Sequence, residues 1–314
     1  MNAVTLVITP GDPEGIGPEV AAKALRQLAP SLKKTGVVIV GAQAPFRRFQ
    51  KALKGIELQF IEPPSRSGPG YQSGWAIETA TRFVQAAPGS RVLVTGPISK
   101  ERIQAAGFRF KGHTDFLAHL SNSGPVTMML SNELFRVALV TNHCPLSEVG
   151  KRITRTSLET TLRHGIAFCK GDLGLKSPRI AVLALNPHAG EGGILGKEEQ
   201  EVIIPALKEL SKTFPDARIS GPHPSDSFFA MEARRAKRNR HDLVIALYHD
   251  QGLIPVKLSD FSRSMNMTLG LPFVRTSVDH GTAFDIAGKN KADAGSMIYA
   301  IEKALEFIKT RSKT

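Results

Sequence analysis

Three short apolar runs, each closed by a polar turn, constrain this chain more than any other feature. Val137–Val140 leads into Thr141-Asn142-His143, Ile180–Leu185 into Asn186-Pro187-His188, and Leu243–Leu247 into Tyr248-His249. Runs of Val, Ile, Leu and Ala without polar alternation describe strands buried on both faces, as in a parallel sheet covered by helices. A histidine just past such a strand stands at its carboxyl end, the edge where open α/β sheets bind ligands. Three neutral imidazoles with one coordination position left open suit a catalytic divalent metal, zinc foremost. A single histidine at a strand end is more often a structural residue. The repetition, with the unusual neighbours Asn186–Gly193 and Tyr248–Gly252, is what favours a metal. His113, His223 and His280 also lie in loops rich in Gly, Pro or Asp, so spacing alone does not single out the three.

The rest of the chain keeps the same alternation. Thr5–Ile8, Gly36–Val40 and Val92–Thr95 read as further strands, and Glu199–Leu210 and Met297–Ile308 carry apolar residues at helical spacing. Strands alternating with helices predict an α/β fold with a mostly parallel sheet and helices on both sides. A length of 314 residues allows two domains around a cleft. Pro63–Gly74 reads as a surface loop and a candidate linker. Thr9–Glu19 is Gly-rich and opens a helix, so its backbone N–H groups are suited to an anion. It matches neither the Walker loop nor the Rossmann fingerprint, and a tight turn that needs glycine is the simpler account.

The formal charge of +13 predicts attraction of anionic partners. Its densest segments, Arg234–Arg240 and Lys309–Lys313, lack interleaved aromatics and read as solvated helix faces rather than a nucleic-acid surface. Two cysteines, Cys144 and Cys169, cannot build a disulfide framework and fit a reducing cytosol. Cys144 reads as a packing residue rather than a ligand, since neighbours on an extended backbone face opposite ways. No run approaches the roughly 20 apolar residues of a membrane span. Met1–Ile8 shows no leader pattern, so a cytoplasmic protein is expected.

Seven blocks of the chain, Thr9–Pro18, Thr95–Lys100, Gly112–Phe116, Asn186–Gly193, Gly221–Asp226, Tyr248–Leu253 and Thr268–Asp285, together resemble the 4-hydroxythreonine-4-phosphate dehydrogenase family of vitamin B6 synthesis. The resemblance runs from about residue 5 to about residue 305, in the family's order of motifs. It implies the fold of the isocitrate and isopropylmalate dehydrogenases, with two α/β/α subdomains flanking a cleft. Their approximate extents are 1–110 plus 265–314, and 111–264. It also implies a homodimer whose active sites use residues of both subunits. The family's metal ligands fall on His143, His188 and His249, and its substrate contacts on His113, Thr114, Lys257, Asn266 and Arg275. His113, Asp250 and Lys257 are the candidates for catalytic roles, and Asp226 and Asp250 are both candidates to polarise a neighbour or to hydrogen-bond a ligand histidine.

The implied reaction is oxidation of 4-phosphohydroxy-L-threonine to a 3-keto acid by NAD or NADP, then decarboxylation to 3-amino-2-oxopropyl phosphate, on the way to pyridoxal 5'-phosphate. A divalent metal (zinc, or magnesium, cobalt or manganese) lowers the pKa of the hydroxyl and stabilises its developing charge. Lys257 and Arg275 suit a phosphomonoester of charge about −1.5 to −2. Which residues bind the nicotinamide nucleotide is not legible. Two other readings are a relative oxidising threonate or erythronate phosphate and, from a different class, a metal-dependent phosphoesterase. Against the second, such sites usually rely on Asp ligands or paired metals.

Overall fold

The computed structural model describes residues 4–51, 53–110 and 112–313; Met1–Ala3, the start of the stretch read above for a leader, lie outside them. Along the chain the first elements are β1 (Thr5–Thr9), α1 (Gly17–Leu28), β2 (Gly36–Val40), β3 (Leu58–Ile61), α2 (Pro69–Gln85), β4 (Arg91–Thr95), α3 (Lys100–Ala105) and α4 (His113–Ser121). Next come β5 (Thr127–Ser131), β6 (Arg136–Leu139), α5 (Leu146–Arg152), α6 (Arg155–Gly171), β7 (Arg179–Leu183), α7 (Ile204–Thr213), β8 (Arg218–His223) and α8 (Ser225–Arg234). The chain ends with β9 (Leu243–Ala246), α9 (His249–Ser259), β10 (Met265–Leu269), β11 (Arg275–Val278) and α10 (Gly295–Arg311). Residues up to Val126 together with Ser262–Lys313 form one compact unit, and Thr127–Phe261 form another.

In the first unit the strands lie in the order β3-β2-β1-β4-β11-β10, parallel except where β10 pairs antiparallel with β11. Val7, Val38 and Leu93 from this sheet pack against Ile77, Ala80 and Val84 of α2 and Phe116 and Leu117 of α4. In the second unit the order is β5-β6-β9-β7-β8, parallel except for the β5–β6 pair. Val137, Leu139, Leu183 and Val244 pack there against Leu253 and Val256 of α9 and Phe228 of α8. The fold is therefore α/β with mostly parallel sheets, and the strands without polar alternation are the buried ones. Among the described residues no helix is long and apolar enough to cross a membrane.

Four expectations need correction. Pro63–Gly74 is not a linker: α2 begins at Pro69, capped by extended Gly68, and lies within the first unit. Proline at the first helical position is preorganised for a helix, and Ala76, Ile77, Ala80 and Val84 supply its buried face. The predicted helix over Glu199–Leu210 starts with a π-helical turn, Glu199–Ile203, before α7. Of the basic stretch Arg234–Arg240 only Arg234 belongs to α8, as its last residue; the rest forms a loop with a single 3-10 turn at Lys237–Asn239 and is no helix face. Cys144 is half-buried rather than buried and lines a cavity with His143, because its backbone has left the sheet; Cys169 is the packed thiol. Burial pushes the Cys169 thiol up to about 12.

The Gly-rich loop is a tight turn. Gly11 has φ +88°, and a Cβ there would stand 2.0 Å from the Pro97 carbonyl oxygen, so no other residue fits.

Candidate active site

Each unit positions part of the predicted constellation. In the second unit β6 ends at Leu139 and delivers His143 into the loop before α5, while β9 ends at Ala246 and delivers His249 as the first residue of α9. The two imidazoles come together, with ring centroids 5.4 Å apart and planes at 42°. Asp250 Oδ1 lies 2.7 Å from His249 Nδ1. A carboxylate at that nitrogen fixes the tautomer and leaves Nε2 free to coordinate a metal. Both rings line a cavity of about 540 Å³ with Asn142, Cys144 and Tyr248. Asn142 contributes a buried side-chain oxygen with no partner among the described residues. A second cavity of about 670 Å³ is also lined by Leu146, Val149 and Tyr248 and reaches Asn186 and Glu198. Two imidazoles, one ring anchored by a carboxylate, are donors of the type a divalent metal takes and make up two of the three ligands a catalytic site uses.

His188 follows β7, on a left-handed turn closing Asn186-Pro187, and is exposed. Among the described residues no three His, Cys, Asp or Glu side chains stand close enough to hold a metal ion, so the structure brings together His143 and His249 alone. His223 is engaged elsewhere, with its Nε2 2.9 Å from Ser220 Oγ. The same hydroxyl lies 3.3 Å from His241 Nε2, and His241 Nδ1 is 3.0 Å from buried Glu232. Burial, and then neighbouring His241, lower the pKa of His223.

Lys257 lies on α9, eight residues or about 12 Å along the axis from His249. Its ammonium stands 5.5 Å from the centre of the Phe261 ring.

In the first unit Arg275 opens β11 and is buried. Its guanidinium donates to Thr268 Oγ1 at 2.9 Å and to Thr95 Oγ1 at 2.6 Å, both neutral acceptors. No carboxylate pairs with it among the described residues, and burial pulls its pKa down to about 9. His113, the first residue of α4, has a buried Nε2 without a partner among the described residues. Burial holds its pKa well below the usual imidazole value, and the charges of Arg275 and Lys100 lower it further, so the ring is neutral at pH 7. Thr114 follows it, half-buried. Asn266 lies on β10, and its Oδ1 is likewise buried without a partner among the described residues. A lone buried cation beside unsatisfied polar atoms is unstable unless an anion or polar ligand completes it. An acidic ligand is one group that would satisfy these atoms.

Residue patterns alone do not single out three supporting groups. Thr95 and Thr268 seat the Arg275 guanidinium, as described. Gln251 accepts from Leu247 N–H at 2.6 Å and donates to Ala184 O at 2.6 Å and Ser225 Oγ at 2.7 Å, tying the ends of β9 and β7 to the start of α8. Their signal was membership of the motif blocks, which gives no role.

Residues 20–304 match the family described as pyridoxal phosphate biosynthetic protein PdxA. The chain belongs to this family. It is 41% identical, over 99% of both chains, to the 4-hydroxythreonine-4-phosphate dehydrogenase of Paracoccus denitrificans. The crystal structure of the enzyme of that name from Klebsiella pneumoniae superposes with a TM-score of 0.85 at 33% identity, covering 98% of each chain. Isocitrate dehydrogenase from Methylococcus capsulatus superposes with a TM-score of 0.54 at 16% identity, covering 98% of this chain and 87% of its own, which shows a shared fold. Like its PdxA relatives, the chain is an oxidoreductase.

Proposed function

We propose that this chain oxidises 4-phosphohydroxy-L-threonine at its secondary hydroxyl with NAD or NADP, and that the 3-keto acid then loses CO2 to give 3-amino-2-oxopropyl phosphate for pyridoxal 5'-phosphate synthesis. The observation that carries the reading is the facing pair His143 and His249, the second held by Asp250. These two, with His188 by the family's pattern, would hold a divalent metal, zinc foremost or else magnesium, cobalt or manganese. When bound it supplies a Lewis acid for the ionising hydroxyl.

The chain's own residues do the rest. Asp250 keeps the His249 proton on Nδ1, so the other nitrogen stays a donor of electrons. Arg275, seated by two threonine hydroxyls and lacking a carboxylate, takes an anionic group of the substrate. Lys257, Asn266 and Thr114 complete the substrate contacts by the family's pattern. His113 combines a neutral ring with an unpartnered Nε2, so it can accept the proton that leaves the hydroxyl. A bound nicotinamide would supply the acceptor for the hydride that leaves the hydroxyl's carbon. The carboxylate's C–C bond then breaks, its electron pair moves toward the new carbonyl, and a proton returns to carbon.

We place the enzyme in the cytoplasm, as a homodimer with shared active sites. Free Cys144 and Cys169 fit a reducing compartment. Leu146, Ile194, Ile254, Leu258 and Phe261 of the second unit are each more than half exposed, apolar area that a partner subunit would cover. Metal analysis tests the reading: wild type should carry one divalent ion per site, while His143→Ala and His249→Ala should lose it together with turnover. Full metal content in both variants would overturn the assignment.

A further inference from the structure

His188 sits on the most unusual backbone in the described chain. His188 (φ 52°, ψ 30°), Ala189 (54°, 41°), Gly190 (79°, −3°), Glu191 (42°, 55°) and Gly192 (67°, 18°) follow one another in the left-handed region. Side chains crowd the following carbonyl in that conformation, so it occurs mostly as single residues, usually glycine. Three residues with side chains in such a run require surroundings that over-determine it.

Glu199 supplies them. Its side chain is 1% exposed, and it forms no ion pair among the described residues. Instead Oε1 accepts the Leu185 and Asn186 backbone N–H groups, each at 2.8 Å, and Oε2 accepts Asn186 Nδ2 at 2.8 Å. These are the residues that lead into the turn. The turn also closes on the carboxylate: a Cβ on Gly190 would lie 2.8 Å from Glu199 Oε2 and 3.0 Å from the Gly196 carbonyl. A buried carboxylate served only by neutral donors is costly to keep, and its removal would leave the Leu185 and Asn186 N–H groups without their acceptor. The π-helical turn Glu199–Ile203 that presents it is a rare element found disproportionately at functional sites.

We propose that Glu199 is a positioning residue: it clamps the entry and the back of the left-handed turn and thereby aims the His188 imidazole. The benefit to catalysis rests on the reading of His188 as a metal ligand. Glu199 touches neither the substrate nor the metal in this account and acts only through the turn.

The test compares wild type with Glu199→Gln, Asn186→Ala and His188→Ala, using equilibrium dialysis against buffered Co2+ and hydrogen exchange on the purified proteins. Glu199→Gln turns one acceptor into a donor facing N–H groups. It should speed exchange across residues 185–196 and weaken Co2+ binding about 10- to 100-fold, as loss of a group supporting a ligand does. Asn186→Ala removes one of the three hydrogen bonds to Glu199, together with the 2.7 Å bond from Asn186 Nδ2 to Glu198, so it should act the same way more weakly, and it serves if the first variant does not fold. A purely structural Glu199 would lower the melting temperature but leave Co2+ affinity of the folded protein unchanged. Wild-type exchange at 185–196 in both variants overturns the proposal, as does wild-type Co2+ affinity in both when His188→Ala has lost it. If His188→Ala itself binds Co2+ like wild type, the metal reading of His188 fails instead, and faster exchange at 185–196 still supports the clamp.

Discussion

Arg275 carries its charge in the protein interior with two hydroxyls and, among the described residues, no carboxylate around it. An anion that reaches it recovers the solvation the guanidinium has lost, so its removal should be felt mainly through the substrate. Arg275→Gln should lower kcat/KM by one to two orders of magnitude, for the loss of a charge-assisted contact of about 1.5–3 kcal/mol. Steady-state kinetics decides this, and an unchanged kcat/KM would remove Arg275 from substrate binding. His113 makes a prediction of opposite kind. Its folded pKa lies below its unfolded value of about 6.5, so as pH falls through that value the unfolded chain takes up a proton that the folded chain refuses. Stability should therefore decline from about pH 6.5 downward, until the folded pKa is reached, and His113→Gln should flatten that decline. Denaturant melts at about pH 7.5 and pH 5.5 measure it; identical slopes in both proteins would mean an ordinary imidazole. At this scale the sequence makes the meeting of His143 and His249 legible, because each stands within four residues of the end of a buried strand. It shows Arg275 poorly, because its burial depends on Thr95, 180 residues away in the chain.

Helix α9 links His249 to the core. Gly252 lets it lie directly on β6 and β9: a Cβ there would meet Val137 Cγ1 at 2.7 Å, and Ala246 Cβ and Leu139 Cδ2 at 3.0 Å. The Ala246 Cβ is fixed to its strand and cannot rotate away. Gly252→Ala gains up to about 1 kcal/mol in helix propensity. The overpacking should outweigh that gain and destabilise by about 1–3 kcal/mol. Because His249 heads the same helix, bound metal should fall with it. Denaturation midpoints with metal analysis check both, and a variant as stable as wild type would show that the contact can relax. Strands such as Gly36–Val40 are legible to the residue, since burial on both faces leaves no polar position inside them. The π turn is not, because Val202, Ile203, Leu207 and Leu210 satisfy helical spacing whether or not one extra residue is inserted. The start of α2 was hidden for a similar reason. Gly68 and Pro69 are loop formers and helix starters alike, and only the apolar face downstream decides between them.

For the whole molecule, the likeness spread over seven motif blocks was the strongest signal in the sequence, and the match of residues 20–304 agrees with it. What the sequence does not give is which ligands share a chain, since loops far apart in sequence converge only through the fold. His143 and His249 face each other within one chain. Mixed dimers of His143→Ala with His249→Ala subunits should therefore stay inactive. Mixed dimers of His143→Ala with His188→Ala should regain activity at one site of two if His188 acts across the dimer. Subunit exchange followed by activity assay reads this, and recovery in the first mixture would contradict the pairing seen here. The central claim is the reaction itself, and it is tested most directly by following reduced-nicotinamide absorbance with 4-phosphohydroxy-L-threonine, threonate phosphate and erythronate phosphate, each with NAD and with NADP. 4-Phosphohydroxy-L-threonine should be turned over, with CO2 release, in a reaction lost on chelation and restored by a divalent metal. Preference for either sugar-acid phosphate, or no reduction with any of the three, would contradict that claim.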